Sequence, residues 1–390
     1  MSDFLWGAAT SAHQVEGNNV HSDWWDWEKS TNGVTRSGVA ADHYRHFAED
    51  FALAKELGHN AHRLSLEWSR LEVEPGKWNE RAISHYREVL LALREAGLTS
   101  FVTLHHFTNP QWFATQGGWL ARSAPVRFAR YAAMAADRFG DLVDFWVTIN
   151  EPMVYATQSF WHKRWPPQLG SWSALRTALR HLASGHELAY QELHKQLPEA
   201  QVGIAKHVIA YVPSDNATWT GRQAAAWEDS WFNHRFFKQT PDSHDFIGVN
   251  YYFHQRPQSV SLIPPRLHTQ AWQGAVSDMD WPIWPEGLAH ALRGMSRYKK
   301  PLYVTENGLA DAKDTRRPDF IRDHLRVIER AQADGIDVRG YLHWSLLDNF
   351  EWDHGFDPRF GLVEVDYATQ KRTPRQSAYV YRAVIEQAGG

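Results

Sequence analysis

The strongest constraint on the fold is a regular alternation between short apolar segments and amphipathic helical segments. Eight apolar segments recur along the chain. They are FLWGAAT near Leu5, HRLSLEW near Leu66, SFVTLHHF near Val102, LVDFWVTINEP near Trp146, QVGIAKHVIAYV near Ile204, FIGVNYYF near Val249, PLYVTEN near Val304 and VRGYLHWSLLDN near Leu342. Amphipathic stretches such as Asn79 to Ala96 and Pro318 to Ala333 lie between them. This alternation predicts a parallel sheet with helical crossovers.

A closed barrel fits this alternation better than two doubly wound domains. The chain has 390 residues, of which 43% are hydrophobic, and this is enough for one large core. No GxGxxG motif follows an early strand and no P-loop is present, so the usual nucleotide-binding signatures are missing. We therefore predict an α/β fold, a single (β/α)8 barrel over residues 1–390, with a doubly wound fold as the alternative.

Composition and charge argue against several other classes of protein. The formal net charge is −4, so we expect no general attraction to nucleic acid or to anionic membranes. The chain has no cysteine, which excludes disulfides and thiolate metal sites. It shows neither a run of about 18 apolar residues nor a basic segment followed by an apolar one at its start. We therefore expect no membrane span, no signal peptide and a cytoplasmic location, and we leave the oligomeric state open.

Polar residues concentrate where the predicted strands end, which is the face of a barrel that carries active sites. In chain order they are Gln14, Glu16, Arg63, Glu67, Arg70, His105, His106, Asn150, Glu151, His207, Asn250, Tyr252, Glu306, Asn307, Asp348, Glu351 and Trp352. Glu151 ends the fourth strand in TINEP, and Glu306 ends the seventh in YVTENGLAD. Strands four and seven lie three apart in a ring of eight, so these two carboxyl groups should face each other across the barrel mouth.

Two facing carboxyl groups suit the cleavage of a glycosidic bond. The leaving oxygen needs a proton, and the developing oxocarbenium carbon needs a carboxylate. Repulsion between the two groups favours one protonated and one ionised carboxyl near neutral pH. The alternative without a catalytic role is that each glutamate is an ordinary surface or salt-bridged residue at the end of a strand.

Two other kinds of hydrolase fit the residues less well. His105 and His106 could suggest a metal site, but adjacent residues on a strand point to opposite sides, and 22 histidines make a chance pair unsurprising. A Ser-His-Asp hydrolase lacks its G-x-S-x-G elbow. We expect no metal and no cofactor. The 20 tryptophans fit either a heavily packed core or flat platforms for sugar rings, and composition alone does not separate the two.

The chain resembles glycoside hydrolase family 1, the β-glucosidase family, over nearly its whole length. The resemblance is carried by FLWGAATSAHQVEG, SDWWDWE, HRLSLEWSR, TLHHFTNPQW, TINEP, FIGVNYY, SDMDWPIWPEGL, YVTENGLAD and GYLHWSLLDNFEWDHGFDPRFGLVEVD, in this order. It implies a (β/α)8 barrel and a retaining mechanism. The chain departs from the family at Phe107, where tryptophan is usual, and in shortened connections after strands four and five, which wall the leaving-group side.

The resemblance also implies roles for individual residues. Glu151 would be the acid/base and Glu306 the nucleophile. The sugar pocket would comprise Gln14, His106, Asn150, Tyr252, Trp344, Glu351, Trp352 and Phe360, and Arg63 and Asn250 would support the nucleophile. From these roles we expect Glu306 to be ionised and Glu151 protonated in the free enzyme.

The resemblance implies an enzyme for neutral sugars. Family members that act on 6-phosphorylated sugars carry serine where Glu351 stands here, followed by a lysine and a tyrosine. We therefore expect a β-glucosidase with some activity on β-galactosides and β-fucosides, whose substrates are small β-glycosides or short oligosaccharides. The alternatives are a mainly transglycosylating member of the family and a sugar-binding barrel that has lost its activity.

Overall fold

The computed structural model describes residues 4–262 and 265–389. Eight strands form a closed barrel in which every neighbouring pair is parallel. The strands are β1 (Leu5–Ala9), β2 (Ala61–Ser65), β3 (Thr99–His105), β4 (Phe145–Asn150), β5 (Gln201–His207), β6 (Phe246–Asn250), β7 (Leu302–Asn307) and β8 (Val338–Trp344). Each lies within, or within one residue of, an apolar segment identified in the sequence. The predicted barrel is therefore confirmed.

Eight longer helices follow the strands in turn. They are α1 (His43–Glu56), α2 (Glu80–Glu95), α3 (Ala124–Phe139), α4 (Trp172–Gln196), α5 (Trp219–Glu228), α6 (Pro285–Ser296), α7 (Arg317–Ala333) and α8 (Gln376–Gln387). Glycines with positive φ follow α1, α2 and α7, at Gly58, Gly97 and Gly335. Side-chain oxygens of Asn79, Ser171 and Thr218 cap the N-termini of α2, α4 and α5.

Shorter elements fill the connections. The short α-helices are Ala12–Val15, Asp23–Ser30, Trp68–Leu71, Gln111–Thr115, Pro152–Phe160 and Arg235–Gln239, with single turns at Gly118–Leu120, Gly140–Leu142 and Trp352–His354 and a π-helical turn at Asp229–Asn233. Three two-stranded sheets pair Ala210–Tyr211 with His254–Gln255, Pro257–Leu262 with Pro265–Thr269, and Val363–Asp366 with Lys371–Pro374. No helix within the described ranges is long and apolar enough to cross a membrane.

The barrel interior is a packed core at the end opposite the polar strand termini. Phe101 and Phe145 stack with ring centroids 4.3 Å apart, and Phe246 and Tyr303 close over them edge-on. Tyr381 of α8 bridges β1 and β8 from outside the barrel. Its hydroxyl accepts a hydrogen bond from the Gly7 amide and lies 3.0 Å from the Tyr341 carbonyl oxygen. With the lower end filled, the open space lies at the carboxyl ends of the strands.

Candidate active site

A cavity of about 760 Å³ opens at the carboxyl ends of the barrel strands. Its lining includes ten of the twelve residues singled out from the sequence: Gln14, His106, Asn150, Glu151, Tyr252, Glu306, Trp344, Glu351, Trp352 and Phe360. The other two, Arg63 and Asn250, are fully buried and hydrogen-bond to residues of the lining. The structure thus brings all twelve together, and the chemical role of each stays a prediction.

Glu306 lies near the end of β7, where the pairing between barrel strands is irregular. The register with β6 shifts between Val304 and Glu306, and such an irregularity re-aims the side chains around it. The Arg63 guanidinium donates to Glu306 Oε1 at 2.5 Å, and the Tyr252 hydroxyl donates to Oε2 at 2.7 Å. Both carboxyl oxygens are therefore held by donors that stabilise the ionised form.

Glu151 stands between β4 and the helix Pro152–Phe160. The register of β4 with β5 shifts just before it, between Val147 and Asn150. Its φ of 45° lies in the left-handed region, which is uncommon for a residue with a Cβ and is typical of strained functional sites. The Asn250 side-chain amide donates to Glu151 Oε1 at 2.8 Å, and this contact holds the carboxyl group in the cavity.

A buried hydrogen-bond network fixes the two glutamates relative to each other. Arg63, which holds Glu306, also donates to Asn150 Oδ1 at 2.7 Å. Asn250, which holds Glu151, donates to the same oxygen at 3.2 Å. The Asn150 amide donates to His106 Nε2 at 3.1 Å. Because each member is paired within the barrel, the network is rigid before any ligand enters.

The electrostatic environments of the two glutamates differ. Burial raises the pKa of Glu306 to about 7. The positive charge of Arg63 lowers this pKa, and repulsion from Glu151 raises it again. Burial alone would raise the pKa of Glu151 too, but hydrogen bonds from His207 and Asn250 bring it below its usual range. Two buried carboxyl groups in one cavity repel each other when both are ionised, so the pair favours a single shared proton near neutral pH.

The sequence analysis gave no role to His207 and Lys206, which stand at the end of β5 beside Glu151. His207 Nδ1 lies 3.5 Å from Glu151 Oε1. Lys206 is fully buried, its ammonium donates to the His207 carbonyl, and it lies 4.4 Å from the centre of the Phe232 ring. Burial lowers the pKa of Lys206 to about 7. His207 stood among the polar strand ends in sequence, but its distance from Glu151 depends on the barrel register.

The opposite side of the cavity holds a third carboxyl group. The Gln14 amide donates to Glu351 Oε2 at 3.2 Å and to Asn349 Oδ1 at 3.1 Å, and the Ser11 hydroxyl donates to Gln14 Oε1 at 2.6 Å. Burial raises the pKa of Glu351 to about 8, and Glu306 and Glu151 add to the shift. The raised pKa favours the protonated form of this carboxyl group, which can both donate and accept a hydrogen bond.

We call Gln14, His106, Asn150, Glu151, Glu306 and Glu351 the floor of the cavity. Aromatic rings frame it. His106 lies between two near-parallel rings, with its centroid 6.0 Å from those of both Trp344 and Trp352. Phe107, which departs from the family, packs on Trp352 at 5.0 Å. Trp281, which the sequence analysis did not single out, joins Phe360 on the far side, with centroids 6.2 Å apart.

The structure separates His105, the last residue of β3, from His106, which follows it. His106 lines the cavity, whereas His105 is buried on the other side of the strand, where its Nε2 lies 3.1 Å from Asn109 Oδ1. This is the alternation expected along a strand. Within the described part of the chain, no group of three His, Cys, Asp or Glu side chains is arranged to hold a metal ion.

A closed (β/α)8 barrel whose mouth holds two buried glutamates from β4 and β7, in a cavity framed by aromatic rings, defines a glycoside hydrolase. Comparison with known proteins gives the family. The sequence model of Glycosyl hydrolase family 1 matches residues 1–242 and 238–390. The chain belongs to this family, as its motifs predicted.

Relatives and solved structures agree with this assignment. The chain is 30% identical to a β-galactosidase of Pyrococcus woesei, over 99% of this chain and 97% of that protein. It is 31% identical to β-glucosidase A of Acetivibrio thermocellus, over 99% and 98%. The fold is similar to a β-glycosidase from Pyrococcus horikoshii (TM-score 0.93, 40% identity, 99% of this chain and 94% of that chain). It is equally similar to a β-glucosidase from Thermotoga maritima in complex with glucoimidazole (TM-score 0.93, 28% identity, 99% and 98%).

Proposed function

We propose that the protein is a retaining β-glycosidase that removes terminal non-reducing β-D-glucosyl residues, with some activity on β-galactosides and β-fucosides. The observation that carries the proposal is the unequal pair of glutamates in one cavity. Glu306 accepts hydrogen bonds from Arg63 and Tyr252, while Glu151 lies beside Asn250 and His207. A nucleophile that stays ionised and an acid that can give and take a proton need such different surroundings.

In the first step, a Glu306 oxygen attacks the anomeric carbon while the bond between that carbon and the leaving oxygen breaks. The leaving oxygen takes the proton of Glu151, so the products are a glycosyl ester on Glu306, an ionised Glu151 and a neutral leaving group. The reactive arrangement has the shared proton on Glu151.

In the second step, water attacks the anomeric carbon of the ester. Ionised Glu151 takes a proton from the water as the new carbon–oxygen bond forms, and the bond to Glu306 breaks to return its carboxylate. The ester carries no charge, so Glu151 no longer faces a second carboxylate and its proton is lost more readily. The same residue thus acts as acid and then as base. Two inversions leave the sugar in its original β configuration.

The floor is proposed to bind the sugar itself. Asn150 would hold the 2-hydroxyl, a contact that strengthens in the transition state. Gln14, His106 and Glu351 would bind the remaining hydroxyls, with Trp344 as the platform beneath the ring and Tyr252, Trp352 and Phe360 as further walls. The names of the relatives support a glucoside or galactoside substrate, and the neighbour that holds glucoimidazole supports a pocket for a glucose-like ring.

The test is hydrolysis of an aryl β-glucoside followed by proton NMR. We expect turnover, with the β-anomer of glucose as the first product. Appearance of the α-anomer first would contradict the retaining mechanism, and no turnover would favour a sugar-binding barrel. Product analysis with an added alcohol acceptor measures transglycosylation, and rates with galactosides and fucosides rank the sugars.

We also propose that the chain acts as one catalytic domain. The barrel strands lie between Leu5 and Trp344. Tyr381 of α8 accepts a hydrogen bond from Gly7 of β1, so elements near both ends of the described chain belong to the same barrel. The cytoplasmic location stays a prediction from the sequence, which cell fractionation tests.

A further inference from the structure

The turn that carries Glu351 and Trp352 has an unusual backbone. Trp352 has a φ of 52°, in the left-handed region, which bulky residues rarely adopt. Such a conformation persists only where surrounding contacts impose it. The Glu351 amide donates to the Gly355 carbonyl at 2.6 Å, and the His354 amide donates to the Glu351 carbonyl at 2.9 Å. These two bonds close the turn on itself, so its position in the cavity depends on contacts with other segments.

Asp353, the next residue of this turn, is held by the connection after β4. The Trp165 indole donates to Asp353 Oδ1 at 2.8 Å. Two nitrogens of the Arg164 guanidinium donate to Asp353 Oδ2, at 2.6 Å and 3.0 Å, and one of them lies 3.1 Å from His354 Nε2. Both carboxyl oxygens are therefore occupied by neighbouring residues of one segment. We call Arg164, Trp165 and Asp353 the clamp.

The Trp165 contact is the stronger half of the clamp. An ion pair that is open to water contributes little to stability, and the Arg164 side chain is 45% exposed. Trp165 is only 6% exposed, and its ring centroid lies 4.9 Å from that of Phe107 and 5.8 Å from that of Trp352. Its indole nitrogen is therefore fixed by packing, and a donor that is already held in place loses little entropy when it bonds to Asp353.

The clamp connects two segments that face the same cavity. The connection after β4 starts at Glu151, the proposed acid/base, and continues through the helix Pro152–Phe160 to Trp165. The connection after β8 carries Glu351, whose side chain accepts a hydrogen bond from the Gln14 amide at 3.2 Å. Gln14 orients the end of this side chain, whereas the clamp fixes the backbone from which it extends. The position of the Glu351 carboxyl group therefore depends on both.

We propose that Asp353 and Trp165 are positioning residues that set the preference for the sugar, because they hold the turn after β8 so that Glu351 reaches the 6-hydroxyl of a glucosyl unit. The inference rests on the proposed function, since it explains how the floor keeps the shape that recognises a hexose. Neither residue needs to touch the sugar, because each acts through the turn. Loss of the clamp should weaken the contact with Glu351 and spare the chemistry at Glu306 and Glu151.

The experiment compares kcat/KM for an aryl β-glucoside with kcat/KM for its 6-deoxy analogue. The two substrates differ only at the 6-hydroxyl, so the ratio of glucoside to analogue reports on the contact with that hydroxyl. In Asp353→Ala we expect this ratio to fall by about fivefold, the typical weight of one hydrogen bond. Trp165→Phe keeps a packed ring but loses the indole donor, so it should lower the ratio by about twofold. Asp353→Asn keeps an acceptor for Trp165 and should restore part of the ratio.

A double variant shows whether Asp353 acts through Glu351. The Glu351→Ala variant has no carboxyl group left to position, so adding Asp353→Ala to it should leave the ratio unchanged. The effects of the two changes on the ratio should therefore be strongly non-additive, as expected for residues that share one contact. A further fall of the ratio in the double variant would overturn the proposal, because Asp353 would then act on the sugar by another route.

Asp245→Ala is the matched control. Asp245 also has two aromatic side-chain partners, since the Tyr190 hydroxyl donates to it at 2.8 Å and His194 Nε2 lies 2.8 Å from it. It stands just before β6 and does not line the cavity. Its loss should lower the melting temperature and leave the ratio at the wild-type value. A fall of the ratio as large as that of Asp353→Ala would overturn the proposal, since any loosening of the fold would then have the same effect.

Equal losses with both substrates in Asp353→Ala and Trp165→Phe would also overturn the proposal, because they are the mark of contacts that only stabilise the fold. If Asp353→Ala does not fold, the ratio in Trp165→Phe decides by itself. If the wild-type protein hydrolyses neither substrate, the proposed function fails. Calorimetric binding of glucose and of 6-deoxyglucose to the same variants then tests the clamp separately.

Discussion

The floor of the cavity takes its polar side chains from the ends of the barrel strands and from the segments that follow them. The entrance of the cavity is lined instead by four tryptophans from helices and connections outside the barrel, Trp161, Trp172, Trp227 and Trp231, which we call the tryptophan wall. On the floor, Arg63, Asn150 and Asn250 hold the glutamates through hydrogen bonds of 2.5–3.2 Å. On the wall, Trp227 exposes 58% of its surface and Gln158 Oε1 has no partner among the described residues.

This contrast separates what is fixed before binding from what the ligand completes. A preorganised network costs nothing to reorganise during the reaction, so it suits the atoms that carry developing charge. An open aromatic surface gains free energy by area and tolerates variation in what covers it. Changes on the floor should therefore affect every substrate, and changes on the wall should affect only substrates that reach it.

The largest effect should come from Glu306→Ala. Without the nucleophile no glycosyl ester can form, so we expect kcat/KM to fall by about five orders of magnitude for glucosyl fluoride and for oligosaccharides alike. Steady-state rates on both substrates measure this. A loss confined to one substrate would break the distinction between floor and wall.

Glu151→Ala should have a smaller effect that depends on the leaving group. A substrate with a good leaving group needs no proton, so formation of its glycosyl ester should continue. A substrate with a poor leaving group should form the ester about a hundredfold to ten-thousandfold more slowly. Added azide should accelerate turnover of the good substrate and yield a β-glycosyl azide, since azide needs no base. If Glu306→Ala shows this behaviour instead, the two roles are reversed.

Glu351→Ala should sharpen the description of the floor on its sugar side. We expect a greater loss of kcat/KM with an aryl β-glucoside than with the β-fucoside, which lacks the 6-hydroxyl. The wild-type protein should also prefer the glucoside to its 6-phosphate, because Arg164, the one Arg or Lys in the described lining, is already paired with Asp353. Equal or better turnover of the phosphate would contradict the neutral-sugar assignment.

The smallest effect should be a shift in pH dependence on replacing His207. The pair of glutamates needs one proton, and the pKa of about 7 at Glu306 places the loss of that proton near pH 7, so kcat/KM should fall as the pH rises through 7. The facing charged groups are Arg63, Lys206, His207 and Glu351, with Tyr252 beside them.

His207→Asn removes a group that lowers the pKa of Glu151, so the basic limb of kcat/KM should move to higher pH by about half a unit to one unit. His254→Asn is the matched control, since His254 is buried against Trp272 and Trp284 and does not line the cavity. Superimposable profiles for His207→Asn and the wild-type protein would show that His207 does not set the acidity of the pair.

The sequence by itself determined the barrel and the members of the floor. Eight apolar segments separated by amphipathic ones leave few topologies, and residues at strand ends must meet at one face of a barrel. Short motifs around Glu151 and Glu306 carried enough information to place both in the same cavity. These inferences rest on local patterns, which sequence records directly.

Only the tertiary structure decided how the charges and the entrance are arranged. The 3.5 Å between His207 and Glu151 depends on the register between β4 and β5, and this contact lowers the pKa of Glu151. The tryptophan wall joins residues from Trp161 to Trp231 that meet only because the start of α4 approaches the turn after α5 at the barrel mouth. Distances between side chains far apart in sequence are set by packing, and no local pattern encodes them.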